Sequence, residues 1–339
     1  MANVQKQFLE FNEKIKLKRY KENATLAEKR DRVLRKLKSG IEKQREAGEN
    51  IPTYRTFTQG SYDIGVGIVP PDGNLDIDVG VAFDLARSEQ PDPVKVKTWV
   101  LNAVDEHTKN VEMRGPCVTV FYTADDAPLY HVDLAVYADK QKNGGTLYLA
   151  RGKQTSTKEN RTWNPSDPEG LTALLSDRFS GEEGQQYRRV TRALKRFKDE
   201  RFARDGHGAP RGIAIAVAAY RWFEPARRLV DGKVEFDDLQ AIRNLVGAMV
   251  RNFSSRLVVC SPAEPFDDLC GRMTDAQMAD FKSKLEVLLA KLREAADDSD
   301  PHTACKTLER QFGSDFPVPA PEETAKPQRK AITSSGNSG

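Results

Sequence analysis

Cysteine and histidine are scarce in this chain: among 339 residues there are 4 of each. Cys117, Cys260, Cys270 and Cys305 are scattered and form no CxxC pair. That pattern indicates neither a disulfide framework nor a zinc site, and it fits a reducing cytoplasm. Long apolar runs are also missing. None reaches the ~20 residues that cross a bilayer, and the N-terminus lacks the apolar core of a signal peptide. No membrane partner is expected. Charge of one sign is not in excess either, since 53 Lys+Arg stand against 50 Asp+Glu. The basic residues cluster in residues 1–48, with 14 Lys/Arg against 7 acids, and again from Arg188 to Arg204. Neither segment carries an aromatic stacking platform, so nucleic acid is not the expected partner. With 38% hydrophobic and 30% charged residues, the chain can bury a core, as one large domain or two packed ones.

Against these absences stands one acidic pattern. Asp76-Ile-Asp78 follows the pair Gly60-Ser61 and opens an alternating apolar run to Phe83. On a strand, residues i and i+2 share a face, so Asp76 and Asp78 project together while Ile77 and Val79 face the core. Two adjacent carboxylates repel unless a cation sits between them. For an all-oxygen site that cation is Mg²⁺, bound by one or two carboxylates plus substrate phosphates. Gly60 lets the backbone approach a phosphate, and Ser61 with nearby N–H groups can donate to it.

A third acid lies on a second alternating run, His131-Val-Asp-Leu-Ala-Val-Tyr137. Asp133 shares a face with His131 and Ala135; Val132, Leu134 and Val136 form the other. An aspartate in an apolar strand is costly unless paired or ligating a metal. His131 reads as a strand neighbour rather than a catalyst.

Gly60-Ser61, Asp76-Ile-Asp78 and the later Asp133 resemble the DNA polymerase β-like nucleotidyltransferases. Within them the chain is most similar to the cGAS/DncV-like nucleotidyltransferases, the oligonucleotide cyclases of CBASS anti-phage systems. The run Arg188–Arg201 looks like the helix with the family's donor-phosphate lysine, which maps onto Lys195; the alternative is a solvated helix lysine. The run from Pro262 to Gln311-Phe-Gly-Ser-Asp-Phe-Pro317 is similar to the family's closing helices. The resemblance implies two Mg²⁺ ions, with Mn²⁺ able to replace them, held by Asp76, Asp78 and Asp133, and NTP substrates bound at Gly60, Ser61 and Lys195. It implies a bacterial cytoplasmic enzyme that releases pyrophosphate and makes a cyclic oligonucleotide messenger. Left open are a related transferase acting on RNA or protein, and an inactive nucleotide-binding or nucleic-acid-binding relative. Two features depart from the family. The Ser61–Asp76 spacer is long and contains Pro70-Pro-Asp-Gly-Asn74, which reads as a turn near the site. The stretch Pro210-Arg-Gly-Ile-Ala lacks the family's second phosphate-contacting serine, for which Arg211 could substitute.

The expected fold is α+β: a polymerase β-like core with a mixed sheet, braced by a long N-terminal helix and packed on a C-terminal helical bundle. The expected division is residues 1–165 (core with N-terminal brace helices), 166–316 (helical) and 317–339 (disordered tail). Residues 3–48 read as helical, with a capping box at Thr25-Leu-Ala-Glu28 and a stripe of Leu26, Val33, Leu34, Leu37 and Ile41. Strands are expected at Tyr54–Thr58, Asp76–Phe83, Val111–Thr123 and His131–Tyr137, and a helix over Pro93–His107. Further helices are expected at 185–204, Gly212–Phe223, Phe236–Phe253 and Thr274–Ala295, the last capped by Thr274 and Gln277. The tail is rich in Pro, then Ser, Asn and Gly, with few apolar residues to bury. It ends at Gly339, whose carboxylate suits the narrow channel of an E1-type enzyme. Some CBASS cyclases have such a glycine joined to a target by an E1/E2-like accessory protein.

Overall fold

The alternating runs fold as strands, and they meet at the centre of one sheet. The computed structural model describes residues 2–17, 24–71, 73–124, 127–203 and 208–321. In chain order the first elements are α1 (Gln5–Ile15), α2 (Ala24–Glu46), β1 (Tyr54–Thr58), α3 (Ser61–Ile64), β2 (Leu75–Phe83) and α4 (Pro93–Val104). Then follow β3 (Asn110–Met113), β4 (Cys117–Ala124), β5 (Ala127–Ala138), β6 (Leu147–Arg151) and β7 (Thr162–Ser166). These strands form a seven-stranded sheet in the order β1-β2-β5-β4-β3, with β6 on β5 and β7 on β6. β2 and β5 run parallel and the other pairs antiparallel. Ile77, Val79, Val81 and Phe83 bury one face of β2 against α2 and α4, with Val33, Leu37 and Ile41 wholly buried. Each such side chain contributes about 1.5–3 kcal/mol. The opposite face carries the acids.

The rest is helical: α5 (Pro168–Asp177), α6 (Gly181–Arg201) and α7 (Gly212–Trp222), a hairpin of β8 (Arg227–Val230) and β9 (Lys233–Phe236), then α8 (Asp238–Arg251), α9 (Asp275–Asp297) and α10 (Pro301–Phe312). Thr274 and Gln277 form the expected capping box. No helix among the described residues is long and apolar enough to cross a membrane.

Several expectations need correction. The N-terminal brace is two helices in two cores. Val4, Phe8, Phe11 and Ile15 pack with the C-terminal helices, while α2 packs on the sheet. Thr25 already lies inside α2, and its side chain is outside the described residues, so the capping box there is not traced. The single strand expected over Val111–Thr123 is a hairpin, broken at Arg114-Gly-Pro116, where Arg114 N–H donates to Cys117 O. Asn164-Pro165, which with Asp167-Pro168 reads in the sequence as the break before the helical half, lies within β7, an edge position that tolerates proline, while Asp167 caps α5. Phe236 ends β9, and α8 starts only after its cap, Asp237. Residues 317–321 are not loose: Val318 packs on the helical core and His302 Nδ1 bonds Pro319 O at 2.6 Å. Residues 322–339, and so Gly339, lie outside the described residues.

Candidate active site

The β2–β5 junction sets the acids. In the parallel register Asp76 lies beside His131 and Asp78 beside Asp133, so two strands bring these side chains to one face. β4 adds Thr119, opposite Asp133 in the antiparallel register. The buried Thr119 hydroxyl donates a 2.5 Å hydrogen bond to Asp133 Oδ1. Its only proton is used there, so the 3.5 Å contact with Cys117 has the thiol as donor. His131 Nε2 lies 3.3 Å from Asp76 Oδ1, and Nδ1 lies 3.3 Å from Asn74 Oδ1. Asp76, His131 and Asp133 each offer a ligand atom within 4.8 Å of the others.

Asp78 sits against the Gly60 turn. Gly60 has φ 80°, where side chains are strained, and a Cβ there would lie 2.1 Å from Asp78 Oδ2. Burial first, then the charges of Asp76 and Asp133, push the Asp78 carboxyl well above its usual range; Lys195 opposes this. Burial and Asp76 also raise Asp133, against the Thr119 hydrogen bond. For His131, burial disfavours the charged ring, but the hydrogen bond and charge of Asp76 outweigh it and raise its pKa. Crowded carboxylates with so little compensating positive charge fit a site for divalent cations.

Gly60, Ser61, Asp76, Asp78, Lys195 and Lys198 line one cleft of about 540 Å³. Lys195 is buried on α6 and donates to Val66 O at 3.1 Å. Burial, then Lys198, bring its pKa down to about 8, with Asp199 and Asp78 opposing. It is therefore no solvated helix lysine. Pro70 and Pro71 of the long spacer reach the cleft wall, and Gly73 N–H donates to Pro70 O, closing the expected turn. Arg211 precedes α7, exposed and outside the cleft lining, while its neighbour Gly212 lies on the wall. Partial desolvation of its guanidinium, and then the charges of Arg272 and Arg151, lower its pKa although the side chain as a whole is exposed, so it faces other cations. Sequence reasoning missed Thr119 and the pairing of His131 with Asp76. Both follow from strand register, which Val118 and Val120 flanking Thr119 could have suggested.

Residues 54–137 match the family described as cyclic GMP-AMP synthase DncV-like, nucleotidyltransferase domain. That bears out the resemblance to the cGAS/DncV-like nucleotidyltransferases. No curated protein sequence matches the chain. The fold is shared with the cyclic AMP-GMP synthase DncV of Vibrio cholerae at TM-score 0.69, with 17% identity over 94% of this chain and 98% of that one. It is shared also with the CD-NTase CdnG of Bradyrhizobium diazoefficiens, solved with GTP, at TM-score 0.69 and 14% identity, covering 92% and 96%. DncV of Escherichia coli, in its 3'-deoxy GTP bound form, gives 0.65 and 16%, covering 89% and 93%. The α+β fold is that of DncV.

Proposed function

We propose that this chain, with a DncV-like nucleotidyltransferase domain at residues 54–137, joins NTPs into a cyclic oligonucleotide messenger for anti-phage (CBASS) defence in the bacterial cytoplasm. The observation that supports this best is the meeting of Asp76, Asp78 and Asp133 beside the Gly60 turn and Lys195. V. cholerae DncV has been solved with the linear intermediate pppA(3',5')pG, as a route through two successive bond-forming steps requires.

Asp76, Asp78 and Asp133 would hold two Mg²⁺ or Mn²⁺ ions, which supply charge neutralisation for the phosphates and acidify the attacking hydroxyl. The chain's own groups do the rest. Gly60 and Ser61 hold the donor triphosphate where only a glycine backbone fits. Lys195 adds a positive charge to it. Asp133, fixed by Thr119 and raised in pKa, takes the proton from the attacking ribose hydroxyl. That oxygen bonds the α-phosphorus as the bond to pyrophosphate breaks; a second round closes the ring. At the C-terminus, Gly339 is proposed as the point of conjugation by an E1/E2-like accessory protein.

The test is incubation with all four NTPs and Mg²⁺, with products resolved by mass spectrometry. Wild type should yield a cyclic product and pyrophosphate, and Asp76→Ala/Asp78→Ala neither. Without metal the double variant should melt at a higher temperature than wild type, because carboxylate repulsion is relieved. Unchanged product from the double variant would sink the assignment.

A further inference from the structure

Asp76 faces a histidine across the strand junction, where a purely acidic site would have another oxygen donor. His131 Nε2 and Asp76 Oδ1 are 3.3 Å apart, and with Asp133 they fall within one 4.8 Å cluster. Donors on adjacent octahedral positions, each about 2.1 Å from a metal, lie about 3 Å from one another. The separation fits a shared ion.

The second ring nitrogen sets the tautomer. Nδ1 lies 3.3 Å from Asn74 Oδ1. An amide oxygen only accepts, so Nδ1 carries a proton and donates it. Nε2 is then the atom turned to Asp76: without metal a proton bridges the two, and a bound ion would replace that proton and take the Nε2 lone pair. Metal-bound histidines almost always donate their other N–H to an oxygen acceptor, and Asn74 supplies one. The ring is half-buried, with Phe121 at 5.9 Å between ring centroids, which limits its swing. Across the cluster Asp133 is held in place by Thr119.

We propose that His131 Nε2 is a metal ligand, forming with Asp76 and Asp133 a mixed donor set that takes Mn²⁺ in preference to Mg²⁺. This rests on the metal-dependent reading above. Mg²⁺ keeps to oxygen ligands, whereas first-row transition ions accept imidazole alongside carboxylate. His131 therefore sets which ion fills the site.

The experiment uses the full chain and Mn²⁺ as the probe, with no substrate. Mn²⁺ binding is titrated by EPR, Mg²⁺ is added as competitor, and pulsed EPR reads nitrogen coupled to the bound ion. Wild type should show ¹⁴N coupling that changes to ¹⁵N on histidine labelling. His131→Gln should lose that coupling and bind Mn²⁺ roughly 10–100-fold more weakly, with Mg²⁺ affinity little altered. Bound Mn²⁺ without histidine nitrogen coupling, or an unchanged Mn²⁺ to Mg²⁺ preference in the variant, overturns the proposal and leaves the two-metal reading standing. Wild type that binds neither ion overturns both. If His131→Gln fails to fold, the labelled wild type alone decides.

Discussion

Gly60 and Lys195 both act on the Asp78 carboxylate, one by close packing and the other by charge, and they differ in how readily the sequence reveals them. Gly60 is legible because glycine before serine ahead of paired acids has few other uses; the structure adds that a Cβ there would strike Asp78. Lys195 is one of many cations on a basic helix, and only packing separates it from the rest. Its burial and its bond to Val66 O hold the ammonium in the cleft wall. Lys198, one turn away, is matched by Asp199 at 2.5 Å. Lys195→Ala should therefore weaken NTP use about tenfold or more, as loss of a charge-assisted hydrogen bond worth about 1.5–3 kcal/mol predicts. Lys198→Ala should change it less than about fivefold, as loss of a half-buried pair with a neighbouring residue would. Steady-state rates over a range of NTP concentrations check this, and equal small effects would make Lys195 a structural lysine. His131 was invisible as more than a strand residue, because its partner lies across a pairing that no single strand reveals.

Elements with a strong period were legible; those defined by partners were not. β2 and β5 alternate cleanly, and α9 is opened by a capping box. β6 and β7 are short and β7 carries Pro165, and β8–β9 is betrayed only by Asp231-Gly232, both at positive φ as a tight hairpin needs. The division of the N-terminal brace shows the same limit. α1 and α2 have similar apolar stripes, yet each faces its own core, a long-range choice that local pattern does not hold. The closing segment after α10 completes the α1 side. Phe316 is 1% exposed and lies 5.1 Å, centroid to centroid, from both Phe8 and Phe11. Phe316→Ala should cost about 3–5 kcal/mol, measurable by urea denaturation. A cost below about 1 kcal/mol would show that this segment does not close the helical core.

At the scale of the molecule, the fold survives at an identity too low to carry function with it: 17% with V. cholerae DncV at TM-score 0.69. What the two chains share is the arrangement of sheet and helices. Base choice and product linkage depend on cleft side chains with no periodic or spacing signature, and so leave little trace in sequence. The C-terminus poses a different question, since its proposed use depends on a partner. The helical core anchors the chain through Val318 and the His302–Pro319 contact. Gly339 closes the sequence, and a glycine carboxylate has no side chain to obstruct adenylation in an E1-type channel. With an E1/E2-like protein and ATP, wild type should form higher-mass conjugates on a denaturing gel. Gly339→Glu and a chain lacking the last residue should form none, while all three proteins keep equal yields of nucleotide product, because the terminus lies far in sequence from the cleft. Conjugates that persist without Gly339 would show that the tail is a plain terminus and that any transfer uses another group.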